Sequence, residues 1–296
     1  MATQQISGIT ATDGARVFAG TNTTNNIHIG NVSSTLPFAE NAPFNAYSRA
    51  DDLCLPQTRE HVLDSIRAWI HRNDKKNILW LTGWAGAGKS TIARTIAREA
   101  YDAGLWTASF FFVKNGGDVG HGRLLVSTIA QQLASRQANF RSLLQEAVAQ
   151  DKGIVYRMLN DQWKELVTDL IARMDHTSTP SPVFIVIDAL DECESKSDVQ
   201  QILRILTRAS ELGAARLRVL IAGRPELHIR FGIAQFADGS CHEIILHNVP
   251  EDTVNGDIEI LFRQSLVAHD FDNATFAKLV HKSWASSRGL ISLVDS

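Results

Sequence analysis

The sequence predicts an α/β fold in three layers, with a five-stranded parallel sheet between helices and a short helical segment after it. Three observations carry this. Five short runs rich in β-branched and aromatic residues recur along the chain (NILWLTG, TASFFFV, PVFIVIDAL, RLRVLIAG and EIILHNV), and stretches of helical periodicity separate the first four. Each run is apolar on both faces, as strands covered by helices on either side must be. A chain of 296 residues, 44% of them hydrophobic, is also long enough for one large core with a small accessory piece.

Taken in order, residues 1–50 carry few charges and much Thr, Asn and Gly, and they end in a loop-like stretch with Pro37 and Pro43. They read as a leader and linker separate from the core. A core domain follows over 51–250. It opens with a helix in LPQTREHVLDSIRAWI whose apolar stripe is Val62, Ile66, Trp69 and Ile70. The gap between the second and third strands holds two helical patterns, LLVSTIAQQLA and DQWKELVTDLIARM, the second with a stripe through Trp163, Leu166, Val167, Leu170, Ile171 and Met174. A further helix runs from a Ser197 cap to Gly213 with Val199, Ile202, Leu203, Leu206 and Ala209 inward. After EIILHNVPED only helical patterns remain, so 251–296 reads as an incomplete helical segment.

Composition narrows the function classes. Lys and Arg number 29 against 32 Asp and Glu, a net charge of -3, so no basic field favours a nucleic acid partner. Cys54, Cys193 and Cys241 lie far apart without a C-x-x-C pair and read as buried, reduced thiols. No apolar stretch approaches the ~18 residues of a membrane span and no signal peptide opens the chain, which predicts a cytoplasmic protein. Its N-x-[ST] triplets at Asn22, Asn31 and Asn273 would then never meet the glycosylation machinery.

The string GWAGAGKS, residues 83–90, carries the chemistry. It fits G-x-x-x-x-G-K-[ST], and a chance match would occur in roughly one chain in a hundred of this length, so its flanks decide. A strand precedes it and a helix follows, as a phosphate-binding loop requires. Gly83, Gly86 and Gly88 free the backbone to turn N–H groups inward at a helix N-terminus, where anions are favoured. Lys89 can reach the outer phosphates, Ser90 can ligate Mg2+, and Thr91 completes the set of nucleotide contacts. FIVIDALDECE then ends a strand at Asp188 and presents Asp191 and Glu192 beyond the carboxyl edge of the sheet. One carboxylate there can hold the metal and another can polarise water. In VLIAGRPE, Arg224 follows another strand end, where it can sense a γ-phosphate. These features predict a P-loop NTPase.

Together, ILWLTGWAGAGKSTIARTIA, SFFFVKNGGDVGHGRLLVSTIAQQLA, FIVIDALDEC and VLIAGRPE resemble the NACHT nucleotide-binding domain of fungal NOD-like receptors, a branch of the STAND signalling NTPases of innate immunity. The resemblance spans about residues 50–290. It implies a switch that binds ATP or GTP with Mg2+, hydrolyses it slowly and self-associates as a homo-oligomer in the triphosphate state. It carries phosphate binding onto Gly88, Lys89 and Ser90, metal binding onto Asp188, water activation onto Asp191 or Glu192, and triphosphate sensing onto Arg224. It also sets CLPQTRE, residues 54–60, near the adenine side. Such receptors continue into a winged-helix domain and a repeat array, whereas this sequence ends at SRGLISLVDS, which reads as a truncation, an alternative product or a mispredicted gene end. A metabolic P-loop kinase and a non-hydrolysing nucleotide-dependent scaffold are the rival readings.

Residues 13–31, DGARVFAGTNTTNNIHIGN, confine their charge to Asp13 and Arg16 and flank an Asn/Thr/Gly stretch with Val17, Phe18, Ile27 and Ile29. Identical segments of that kind can stack in register as cross-β. VFAGT is similar to the amyloid signalling motifs that some fungal NOD-like receptors carry ahead of this domain, which implies an effector protein as a partner.

Overall fold

A computed structural model describes residues 36–46, 53–72, 76–174, 182–211, 217–236, 240–249, 256, 257 and 260. Residues 13–31, expected to act as an amyloid-type motif, and residues 251–296, expected to be helical, lie outside the described residues except for 256, 257 and 260.

Five strands form one parallel sheet in the order β2-β3-β4-β1-β5. They are β1 (Ile78–Thr82), β2 (Trp106–Phe111), β3 (Val183–Asp188), β4 (Leu217–Gly223) and β5 (Cys241–Ile245). The register aligns their carboxyl ends, with Thr82 opposite both Gly223 and Ile245, and Phe111 opposite Asp188. Because side chains alternate across a strand, each run feeds two cores. Ile78, Trp80, Ile185, Ile187, Val219 and Ile221 face one layer, while Leu79, Leu81, Phe184, Val186, Leu220 and Ala222 face the other. The second layer holds α1 (Glu60–Ile70) and α2 (Lys89–Asp102). The first holds α3 (Leu125–Arg136), α4 (Ala138–Gln150), α5 (Leu159–Trp163), α6 (Asp169–Arg173) and α7 (Lys196–Glu211), against which α8 (Leu227–Ile233) packs.

Four sequence expectations need correction. Residues 36–46 are not a detached linker. Leu36, Ala39 and Ala42 are buried in the first core and Phe44 in the second, so the chain wraps round the free edge of β2. The Phe111 N–H donates to the Ala42 carbonyl (2.9 Å), and the Ala39 and Phe44 N–H groups donate to Thr128 Oγ1 (3.0 Å) and Ser109 Oγ (2.8 Å). The first of these satisfies a β2 backbone N–H that an uncovered edge would leave open. The crossover from β2 to β3 also holds α4, which buries only Phe140 and Leu144 and so shows little stripe, and α5 passes into α6 through a π-helical turn, Lys164–Thr168. Helix α7 starts at Lys196 because the Ser195 hydroxyl, not Ser197, accepts the Asp198 N–H (3.2 Å). Of the cysteines only Cys193 is buried; Cys54 and Cys241 are partly exposed, and all three are free thiols.

Candidate functional site

The aligned carboxyl ends of β1, β4 and β3 bring three loops side by side. Because β4 lies between β1 and β3, the residues after Gly223 stand between the glycine loop and the acidic turn.

The glycine loop joins β1 to α2. Gly86 and Gly88 adopt φ +73° and +84°, the left-handed region that side chains resist. Gly83 is needed for a different reason: a Cβ there would stand 3.1 Å from Leu246 Cβ. Helix α2 begins with Gly88 as its N-cap, without a side-chain cap and without an acidic residue in its first turn. Its leading N–H groups and its dipole are therefore available to an anion. The Lys89 ammonium donates to the carbonyls of Gly83 and Trp84, each at 2.8 Å. Burial pulls its pKa below the usual lysine value, and the nearby carboxylates of Asp191 and Asp188 act in the opposite sense. Ser90 and Thr91 sit half-buried in the first turn of α2.

Asp188 ends β3, 1% exposed, and its Oδ1 has no hydrogen-bond partner. Burial pushes the carboxyl up to about 6, against hydrogen bonds from the Ser90 hydroxyl and the Ala189 N–H and the fields of Arg94 and Lys89. A buried, half-satisfied carboxylate joined to Ser90 at the foot of a phosphate-type loop fits a divalent cation, since hard cations take oxygen donors and a bound phosphate would complete the shell. Ala189 holds φ +54°, a costly conformation for a residue with a Cβ. It swings the chain into the turn Leu190–Glu192.

That turn places its two acids differently. Asp191 is pinned: Oδ1 accepts the Arg224 N–H (3.0 Å) and Oδ2 lies 3.2 Å from Arg224 Nε. Its side chain is 6% exposed, against 51% for Arg224. Gly223 permits this approach, since a Cβ there would stand 3.1 Å from Asp191 Oδ1. Glu192 is freer, accepting the Lys114 N–H through Oε2 at 3.2 Å.

The structure thus gathers Gly83, Gly86, Gly88, Lys89, Ser90, Thr91, Asp188, Asp191, Glu192 and Arg224 at one edge of the sheet. Sequence reasoning missed two contacts there. The Trp84 and His247 rings meet at 5.3 Å, and Arg59 Nη2 donates to the Ala87 carbonyl (3.3 Å). Arg59 lies inside the stretch 54–60 already set beside the nucleotide, whereas nothing in the sequence marks His247. Among the described residues no cluster of three or more His, Cys, Asp or Glu side chains is arranged to hold a metal by itself. No described helix is long and apolar enough to cross a membrane.

Fold and site together define a P-loop nucleotide-binding protein. The chain belongs to the nephrocystin 3 N-terminal family, whose model matches residues 57–224, more than half of its length. It is also similar to the adenylyl-sulfate kinase of Shewanella denitrificans, 32% identical over 97 residues (32% of this chain, 44% of the kinase), and to that of Bacillus pumilus, 46% identical over 50 residues (17% and 23%). The matched stretches span less than half of these relatives. Among solved structures, the replication initiator DnaA bound to AMPPCP and single-stranded DNA is similar at a TM-score of 0.43 and 12% identity, over 83% of this chain and 63% of that one.

Proposed function

We propose that this chain is a signalling switch of the NOD-like receptor type that binds ATP or GTP with Mg2+, hydrolyses it slowly and self-associates in the triphosphate state. The observation that carries the reading is the pairing of Asp191 with Arg224 beside the Asp188 and Lys89 site. An arginine held in reserve on a buried carboxylate, half exposed at the loop edge, can trade that partner for a terminal phosphate. The trade would move the turn that carries Glu192. A bound Mg2+ would neutralise phosphate charge and orient the terminal phosphate. Toward it, Ser90 and Asp188 supply the protein oxygens, and Lys89 exchanges its carbonyl partners for phosphate oxygens. Glu192 serves as the base in this reading, since it gives up one backbone contact to accept a proton from water, and Asp191 is the alternative once Arg224 has turned to the phosphate.

We take the NTPase core, expected over 51–250, to begin at residue 36, with 1–35 and 251–296 as flanking segments. We take the chain to act in the cytoplasm.

The likeness to adenylyl-sulfate kinases supports a second reading, a small-molecule kinase. One experiment separates the two. Purified protein is given labelled ATP or GTP with Mg2+, with and without adenylyl sulfate as acceptor. The switch reading expects acceptor-independent phosphate release, loss of nucleotide binding in Lys89→Ala, and retained binding with hydrolysis slowed about a hundredfold in Glu192→Gln. Phosphate transfer to adenylyl sulfate, or undiminished binding in Lys89→Ala, would refute it.

A further inference from the structure

Arg59 is held in a way that neither its helix nor its own packing explains. It is the N-cap of α1 at φ 59° and ψ 13°, without a side-chain capping bond. Arginine has a Cβ and rarely adopts this conformation, so the surroundings must impose it. Two groups of the residue grip one carboxylate: its N–H donates to Asp257 Oδ1 (3.1 Å), and its Nε lies 3.5 Å from Asp257 Oδ2. The left-handed turn lets backbone and guanidinium face the same partner. It also leaves Nη2 free to reach the Ala87 carbonyl (3.3 Å). The guanidinium lies against the next residue too, since a Cβ on Gly88 would stand 3.9 Å from Nη2.

Asp257 has matching needs. Its side chain is 13% exposed and Arg59's is 23%, so water screens the pair only partly. Asp257 Oδ2 is buried and has no hydrogen-bond partner, leaving the Arg59 ion contact to answer its charge among the described residues. Three segments distant in sequence therefore meet at one side chain: the stretch before α1, the phosphate loop at Ala87 and Gly88, and the chain beyond β5.

We propose that Arg59 and Asp257 form a latch that makes the grip of the phosphate loop depend on the position of Asp257. With Asp257 in place, Arg59 is oriented and fixes the Ala87 carbonyl, which keeps the following N–H groups of Gly88 and Lys89 turned inward. If Asp257 moves away, Arg59 loses both the carboxylate and the cause of its strained backbone, the loop relaxes, and nucleotide leaves faster. Arg59 and Asp257 are positioning residues in this scheme. It rests on the nucleotide-switch reading above for its consequence, but not for the coupling itself.

The test uses the full chain and the variants Asp257→Asn and Arg59→Lys. Asparagine removes the charge, and lysine keeps a charge without the fork that spans Asp257 and Ala87 at once. Two quantities are read: hydrogen exchange of the nucleotide-free protein in a peptide covering 83–90, with a β3 peptide as internal reference, and release of N-methylanthraniloyl ATP and GTP. The expected result in both variants is faster exchange in the loop alone and nucleotide release faster by about tenfold. Exchange and release equal to the parent's would overturn the latch, and so would faster exchange spread equally over loop and β3, which would mean a general loss of stability. If the parent binds neither nucleotide while Asp257→Asn still loosens the loop selectively, the latch stands and the switch reading falls.

Discussion

Replacing Asp188 by asparagine should stabilise the nucleotide-free protein at neutral pH while destroying its use for a metal. The carboxylate is 1% exposed with one oxygen unpartnered, and burial outweighs its hydrogen bonds and nearby cations, taking its pKa from 3.8 to about 6. That shift is worth about 3 kcal/mol. Its sign follows from where the proton sits. Between pH 4 and 6 the folded chain retains a proton that the unfolded chain has given up. The contribution to stability is thus complete below pH 4, is lost as pH rises through 6 and stays lost above it. Asparagine keeps the shape, can still accept from Ser90 and never ionises. Urea unfolding followed by tryptophan fluorescence at pH 4.5, 6.0 and 7.5 should show Asp188→Asn gaining on the parent with rising pH, by about 3 kcal/mol at most. With Mg2+ and nucleotide added the order should reverse, because only the parent binds. A variant less stable than the parent at pH 7.5 without ligand, or a difference that does not change with pH, would refute the reasoning.

Two further outcomes are expected. Phe44→Ala, in the segment that wraps β2, should cost about 3 kcal/mol in urea unfolding, because it empties a site 3% exposed and removes the Tyr101 ring contact at 5.4 Å; a loss below about 1 kcal/mol would mean that 36–46 does not belong to the core. A peptide of residues 8–34 should form thioflavin-positive fibrils with the ~4.7 Å strand repeat, and should stop doing so with Val17 and Ile27 changed to Pro; a peptide that stays monomeric for days removes the case for an amyloid signalling motif.

The sheet was legible because its covered strands are largely apolar on both faces, with Ile78–Thr82 and Val183–Asp188 leaving no polar position before their ends, whereas the edge strand Cys241–Ile245 is only partly buried and has one exposed position. The site was legible for a related reason: its residues sit just past strand ends, so Gly88, Asp188 and Arg224 could each be placed before their mutual distances were known. What escaped notice depends on contacts between distant segments. Nothing local in FAENAPFNA says that it covers a sheet edge, because its burial comes from Ser109 and Thr128 on the other side of the bond. Helix α4 buries too few side chains to show a period. The commitment of Asp191 to Arg224, and of Arg59 to Asp257, follows from the strand order and from two backbone turns, neither of which is written in a motif.

The proposed switch requires that the state of the nucleotide control self-association. Light scattering coupled to size exclusion, on the full chain with Mg2+ and either a diphosphate or a non-hydrolysable triphosphate, tests it directly. A switch of this kind should form a larger assembly with the triphosphate than with the diphosphate, and Lys89→Ala should show no such difference. Equal masses in both states, from protein shown to have bound both nucleotides, would contradict it.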